Sequence, residues 1–498
     1  MCINKLVFKS LFAYAILVSC GKEEAITVDY TAPCQDLIGF HVVVDDNVFY
    51  PVDTTGHDLT VFVPEGSNLS GKIVFLNSSQ YVSINGLPFS EDSVYDFSDY
   101  KNGIELIVAP ETDEKKTYSI RVLDTHLPTM SVTTQNHEEI LDKVNWKQAQ
   151  MKVILDGTSR DYEIEVRGRG NQTWVYPKKP YALKLKKKED LLGMPKHKRW
   201  VLLALYRGFI GHAFAFEATR RAPSIDWAPR GQFVEMVLNG KYQGLYYLCE
   251  QIKIDKERID IAELKADDED YPAISGGYLL ECDELFDEDV KFRSAYYNRP
   301  YQLKSKVTEA QFNYIRDFIN DMESEILKIG TDTVSHYGDY IDVENFADYW
   351  MTLEMVNNYE AFKPRSVKLY KGRDGIDSPV GTVCKLKAGP LWDQEVLLMN
   401  YDLYSTYAMY YSKLFQDPFF VSLVKKRWET YMSNICGNDE YISLLYYTTL
   451  IYNDIKRSAD RDVDFWDNTY FTLDQEYENV ASRIDSRIDW MDKVIKNM

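Results

Sequence analysis

Near residue 307 of this 498-residue chain the hydrophobic repeat changes from the two-residue period of strands to the longer period of helices, and few architectures accommodate that division. Upstream, MKVIL (151–155), YEIEVRG (162–168), YALKLKK (181–187), WVLLALY (200–206) and FVEMVLNG (233–240) read as strands. Downstream, in TEAQFNYIRDFINDMESEIL, Phe312, Ile315, Phe318 or Ile319, Met322 and Ile326 share one helical face. DVENFADYWMTLEMV repeats the pattern through Phe346, Tyr349, Leu353 and Val356 with Asp342 as N-cap, and residues 417–498 read as three further helices. The prediction is an α+β chain whose β-rich and helical halves meet at a cleft.

A shorter rhythm precedes this. Between Leu37 and about Leu123 the runs LTVFVP, GKIVFLN, YVSING, IELIVAP and TYSIRVL alternate with turn-forming stretches, which predicts a small β-sandwich over residues 36–125. A proline at 128 marks the boundary to the second domain, residues 128–498. The sandwich segment resembles the immunoglobulin-like modules of bacterial surface lipoproteins, which implies a spacer or adhesion role. At the start, Lys5 and Lys9 precede the apolar run LFAYAILVS, too short to span a bilayer, and Cys20 follows. Leu17-Val18-Ser19-Cys20 resembles a lipobox, which implies that residues 1–20 are a lipoprotein signal whose Cys20 is lipidated on its thiol and becomes the new N-terminus after cleavage, with 21–35 as a polar tether. Glu23 and Glu24 resemble the acidic export tag of surface lipoproteins in Bacteroides-like bacteria. The implied location is the outer membrane at the cell surface, held through a lipid anchor only.

Charge narrows the partners. A formal net charge of -20 argues against nucleic acid and against anionic membrane surfaces. Yet from Arg167 to Arg199 eleven lysines and arginines face only Glu189 and Asp190, so an anion is expected there. The cysteines form no CxxC pair and the histidines no HxxxH pattern, so neither a zinc site nor a disulfide framework is expected. Glu263 to Asp289 holds eleven acidic residues without calcium-loop spacing and reads as a solvated loop. The 37 tyrosines suit sugar-stacking surfaces but are more simply explained by core packing.

In RGRGNQTW (167–174) and KKPYALKL (178–185), a turn holding Gly168 and Gly170 lets backbone N–H groups approach an anion, and lysines on the next strand add charge. A plain hairpin with a lysine-guarded edge strand is the alternative. These two blocks, with LGMPKHKRWVLLA (192–204), FVEMVLNGKYQGLYYLCEQIKIDKERI (233–259), GGYLLE (276–281) and KAGPLWD (387–393), follow the order of the CotH family of atypical secreted kinases, which the chain resembles over about residues 128–498. The resemblance implies a nucleotide site for ATP built by Arg167, Gly168, Arg169, Gly170, Lys178, Lys179, Lys184 and Glu250. It implies Mg or Mn held by Asp393 and Glu395 of Trp392-Asp393-Gln394-Glu395, and Glu360 of Asn358-Tyr359-Glu360 as base, with Asp393 also in the catalytic set. Taken alone, a Glu that closes a strand, as Glu250 does, is more often solvated. Glu395 and Glu360 stand where the family pattern has Asp, and one extra methylene moves a carboxylate by about 1 Å, enough to cost roughly a hundredfold in rate. Two functions are therefore expected: phosphorylation of Ser, Thr or Tyr on exported proteins, or a non-catalytic surface scaffold built on a degenerate kinase fold.

Overall fold

The computed structural model describes residues 39–498 apart from 55, 77–80, 110–114, 358–363, 398–405, 407, 469 and 471. Cys20, the signal and the tether lie outside the described residues, as does Glu360. The N-terminal segment folds as two sheets. One has the order β2 (Asn47–Phe49), β1 (Phe40–Val44), β4 (Ser70–Phe75), β7 (Tyr95–Asp96). The other has the order β3 (Asp58–Val63), β9 (Lys116–Asp124), β8 (Ile104–Ala109), β5 (Tyr81–Ile84), β6 (Leu87–Pro88). Alternate residues of both, among them Val42, Ile73, Val61, Leu106 and Ile120, fill the single core between them.

Four residues separate β9 from a closed seven-stranded barrel: β10 (Thr129–Thr134), β11 (Lys147–Leu155), β12 (Thr158–Gly168), β13 (Tyr181–Leu191), β14 (Met194–Leu203), β16 (Lys241–Glu250) and β15 (Gly231–Leu238) in that spatial order. Parallel pairing of β10 with β15 closes it. Inward residues such as Val166, Leu183, Trp200, Met236 and Leu248 pack the interior. The outward partners Val201, Leu203, Phe233, Tyr247 and Cys249 belong to the larger core formed with the helices. These strands therefore read as nearly continuous apolar runs.

Past the barrel, β18 (Val290–Arg293), β19 (Pro300–Leu303), β17 (Tyr278–Cys282), β20 (Val367–Lys371) and β21 (Leu386–Ala388) form a second sheet. Helix α2 (Glu309–Leu327) starts at a Thr308 and Gln311 capping box and buries Ile315, Phe318, Ile319, Met322 and Ile326. Helix α3 (Val343–Val356) is capped by Asp342 and buried on all sides from Asn345 onward, which places it at the centre of the helical half. Around it lie α4 (Tyr411–Leu414), α5 (Pro418–Cys436), α6 (Leu444–Phe465) and α7 (Leu473–Asn497). The chain is thus α+β, as its periodicity predicts. Two features depart from that reading: α1 (Gly211–Arg220) interrupts the strand-rich stretch, and β20 and β21 fall among the helices.

Candidate functional site

A cleft opens where the barrel meets the second sheet. Its barrel side is Val201 of β14, Arg169 just after β12, and Gln251 and Ile252 just after β16; its sheet side is Glu281, Lys368, Lys304 and Trp392 with the backbone neighbours of β17. Antiparallel register sets Glu281 directly opposite Lys368. The two form a buried ion pair, and Lys304 closes on the other carboxylate oxygen at 3.0 Å. Burial alone would raise the Glu281 carboxyl, but Lys368 and Lys304 outweigh it and hold it at about 2. Burial pushes the Lys368 ammonium below the ordinary lysine range, with Glu281 opposing. The Arg169 guanidinium lies 5.6 Å from the centre of the Trp392 ring, so a third cation borders the same space.

Asp393 follows Trp392 with φ of 58°, a left-handed conformation that Asp adopts more readily than most residues. Its Oδ2 accepts the Ser366 hydroxyl at 2.7 Å, and the Ser366 N–H donates to Asp283 at 2.9 Å, which ties the Asp393 loop to the end of β17. Behind it lies His212 of α1. Burial pushes that imidazole down to about 4, so it is neutral near pH 7, and its Nδ1 has no hydrogen-bond partner among the described residues. The carbonyl oxygens of Gln394 and Glu395 stand 2.4 and 2.3 Å from where a Cβ on Gly211 would be, so only glycine lets α1 begin this close to the loop.

Of the residues expected from sequence, the structure brings Arg169 to the cleft beside Trp392, with Asp393 immediately after it. Lys178 is elsewhere: fully buried, its ammonium donates to Asp462 and to the Leu245 carbonyl, each at 2.5 Å. Lys179 donates to the Trp174 carbonyl at 2.7 Å, and Lys184 is ion-paired with Glu165. The glycine turn also differs from an open cradle. The Gly168 N–H donates to Asp142 at 3.0 Å and the Arg169 N–H to Pro180 at 3.1 Å, so both are engaged within the protein. At Gly168 the missing Cβ makes room for the Trp174 ring, 2.3 Å from that position, while Gly170 supplies a φ of +81°. Arg167 donates to the Lys143 carbonyl at 2.6 Å.

Glu250 is not a solvated strand end. It is completely buried, accepts from the Arg230 side chain at 2.9 Å, and has Arg258 at 3.8 Å. The acidic run is likewise not one solvated loop, since Glu281 and Asp283 within it are buried. Glu281, Lys304 and Lys368 were not legible as site residues. Lys368 flanked by Val367 and Leu369 in a buried strand and a glutamate closing GGYLLE were the available signals. Among the described residues, no group of three or more His, Cys, Asp or Glu side chains is arranged to hold a metal ion.

The family model described as CotH kinase protein matches residues 164–491, about two thirds of the chain. This chain belongs to the CotH kinase family. The match begins inside β12 and takes in every residue that lines the cleft. A comparison with curated proteins finds no match.

Proposed function

We propose that this CotH-family chain binds ATP with Mg or Mn in the cleft and transfers the terminal phosphoryl group to a Ser, Thr or Tyr hydroxyl of an exported protein. The observation that carries the reading is the convergence of Arg169, Lys304 and Lys368 on one concave site beside Asp393. Lys368 and Lys304 share the single carboxylate of Glu281, and a phosphate chain would add negative charge beside them. Magnesium is commonly bound through one or two carboxylates together with phosphate oxygens, and Asp393 is the described residue that would hold it. When bound, the metal would neutralise charge on the phosphates. Arg169 and Lys304 would orient the phosphates, and Trp392 and Val201 would offer an apolar wall for the base. In the transfer, the acceptor oxygen bonds to the terminal phosphorus as its bond to the bridging oxygen breaks, ADP leaves, and the hydroxyl proton passes to a carboxylate base, for which Glu360 is the assignment.

The setting we infer is an exported lipoprotein anchored through Cys20 on the outer membrane, facing the cell surface, with the N-terminal sandwich as an immunoglobulin-like spacer or adhesion module. Among the described residues, no helix is long and apolar enough to cross a membrane. A second reading, a surface scaffold that uses the fold without catalysis, is favoured by the glutamates at 360 and 395. A thermal melt of the soluble chain with and without ATP and Mg or Mn tests the first reading. It expects metal-dependent stabilisation in the wild type and none in Asp393→Ala. A wild type that shows no shift with either metal would move the assignment to the scaffold.

A further inference from the structure

The barrel face beside the cleft holds more positive charge than its surroundings balance. Glu165, Lys184 and Arg199 are cross-strand partners on β12, β13 and β14, and the adjacent row on the same face is Arg167, Ala182 and Val201. Val201 lines the cleft, so the Arg199 row is its direct continuation, about 7 Å along the strands. Trp146 lies against these cations, with its ring centre 4.7 Å from Arg167, 5.0 Å from Arg199 and 6.0 Å from Lys184. Glu165 is taken by Lys184, and the nearby Glu288 lies 3.7 Å from Lys304. That leaves the half-buried Arg199 guanidinium and Lys253 ammonium with no hydrogen-bond or ion-pair partner among the described residues. The Arg167 Nε is buried and unpartnered too.

Burial, and then the charge of Arg167, pushes Arg199 below the ordinary arginine range; burial, then Arg199, Lys304 and Arg258, does the same to Lys253. Glu165 opposes the shift at Arg199 and Glu288 that at Lys253, but burial outweighs both, and each carboxylate is shared with another lysine, Glu165 with Lys184 and Glu288 with Lys304. A direct partner for these cations would then come from outside the chain. The cleft's own cations, Arg169, Lys304 and Lys368, are the nearer set for a nucleotide. An extended peptide repeats its side chains on one face about every 7 Å, the same interval as the rows of this sheet face.

We propose that Arg167, Arg199 and Lys253, framed by Trp146, hold an acidic segment of the protein acceptor and so deliver its hydroxyl residue to the neighbouring cleft. This rests on the kinase reading for its purpose, but the binding can be measured apart from it. The probe is a short fluorescein-labelled peptide rich in Asp and Glu with a single Ser, followed by anisotropy at low ionic strength, where exposed charge is least screened. Wild type should bind it, and Arg199→Gln with Lys253→Gln should weaken binding about tenfold or more. Stabilisation by ATP and magnesium should be unchanged in that variant. Lys196→Gln with Lys198→Gln removes equal charge from exposed positions of the same strand and should change peptide affinity by no more than about twofold. Lys253→Gln alone, which leaves the Trp146 stack intact, serves if the double variant does not fold.

Three results would overturn the proposal: no peptide binding by the wild type, equal loss in both double variants, or loss of the nucleotide response in the Arg199 and Lys253 variant, which would assign these cations to the phosphates. Selective loss of peptide binding in a protein that shows no nucleotide response at all would leave the acidic-segment site standing and sink the kinase reading instead.

Discussion

Lys178 shows how a residue can be prominent in a motif and still serve the fold. Its ammonium and the Asp462 carboxylate are both fully buried, and Asp462 also accepts the Leu245 N–H at 2.8 Å. Burial pushes Lys178 down and Asp462 up to about 6, each opposed by the other. Removing one partner of a buried pair leaves an uncompensated charge, so Lys178→Met should cost roughly 3–5 kcal/mol in denaturant unfolding. Lys178→Met with Asp462→Leu should recover part of that loss. Nucleotide affinity per folded molecule should be unaffected by either, which separates Lys178 from Lys368. From sequence alone the two lysines could be ranked only by motif. Lys178 sits in a conspicuous basic block, whereas Lys368 acquires its partner Glu281 through strand register between residues 87 positions apart. Arg169 and Asp393 were legible because each lies beside its own local marker, a glycine turn and a tryptophan.

Among the elements, those with a one-sided apolar pattern or a local cap could be read directly. Helix α2 carries both, and α3 begins at Asp342 as its sequence predicts. Helix α1 could not be read this way. His212 to Phe216 are buried in succession, so no polar face reports a helical period, and Ile210 at its N-cap offers no capping side chain. Its first N–H groups are met instead by Glu476 of α7, which accepts from Phe209 at 2.6 Å, Ile210 at 3.1 Å and Gly211 at 3.0 Å. This contact steadies the helix that abuts the Asp393 loop. Burial of Glu476 outweighs those hydrogen bonds and lifts its carboxyl from 4.5 to about 7. Between those values the folded protein holds a proton that the unfolded chain has released, so stability falls as pH rises through the window and is level above it. Glu476→Gln should remove that slope, worth about 3 kcal/mol, when unfolding free energies at pH 5 and pH 8 are compared with the wild type.

At the scale of the whole molecule the N-terminal sandwich is joined to the kinase domain by buried polar contacts. Arg461 of α6 reaches the Asp124 carbonyl of β9 at 2.8 Å and Glu235 of β15 at 2.6 Å. Leu123 of β9 packs with Val237 and Tyr242 of the barrel, and the Thr60 hydroxyl of β3 donates to the Gly240 carbonyl at 3.0 Å. Such contacts predict one cooperative transition, and Arg461→Ala should lower its midpoint and split off an early transition in calorimetry. The cation-rich face beside the cleft lets a protein of net charge -20 attract an anion locally. The most direct test is calorimetric titration of ATP with magnesium into the full soluble chain and into Lys368→Met and Asp393→Asn. The wild type should bind saturably and each variant at least about tenfold more weakly. Equal affinity in all three proteins, or no binding by a folded wild type, would contradict that expectation.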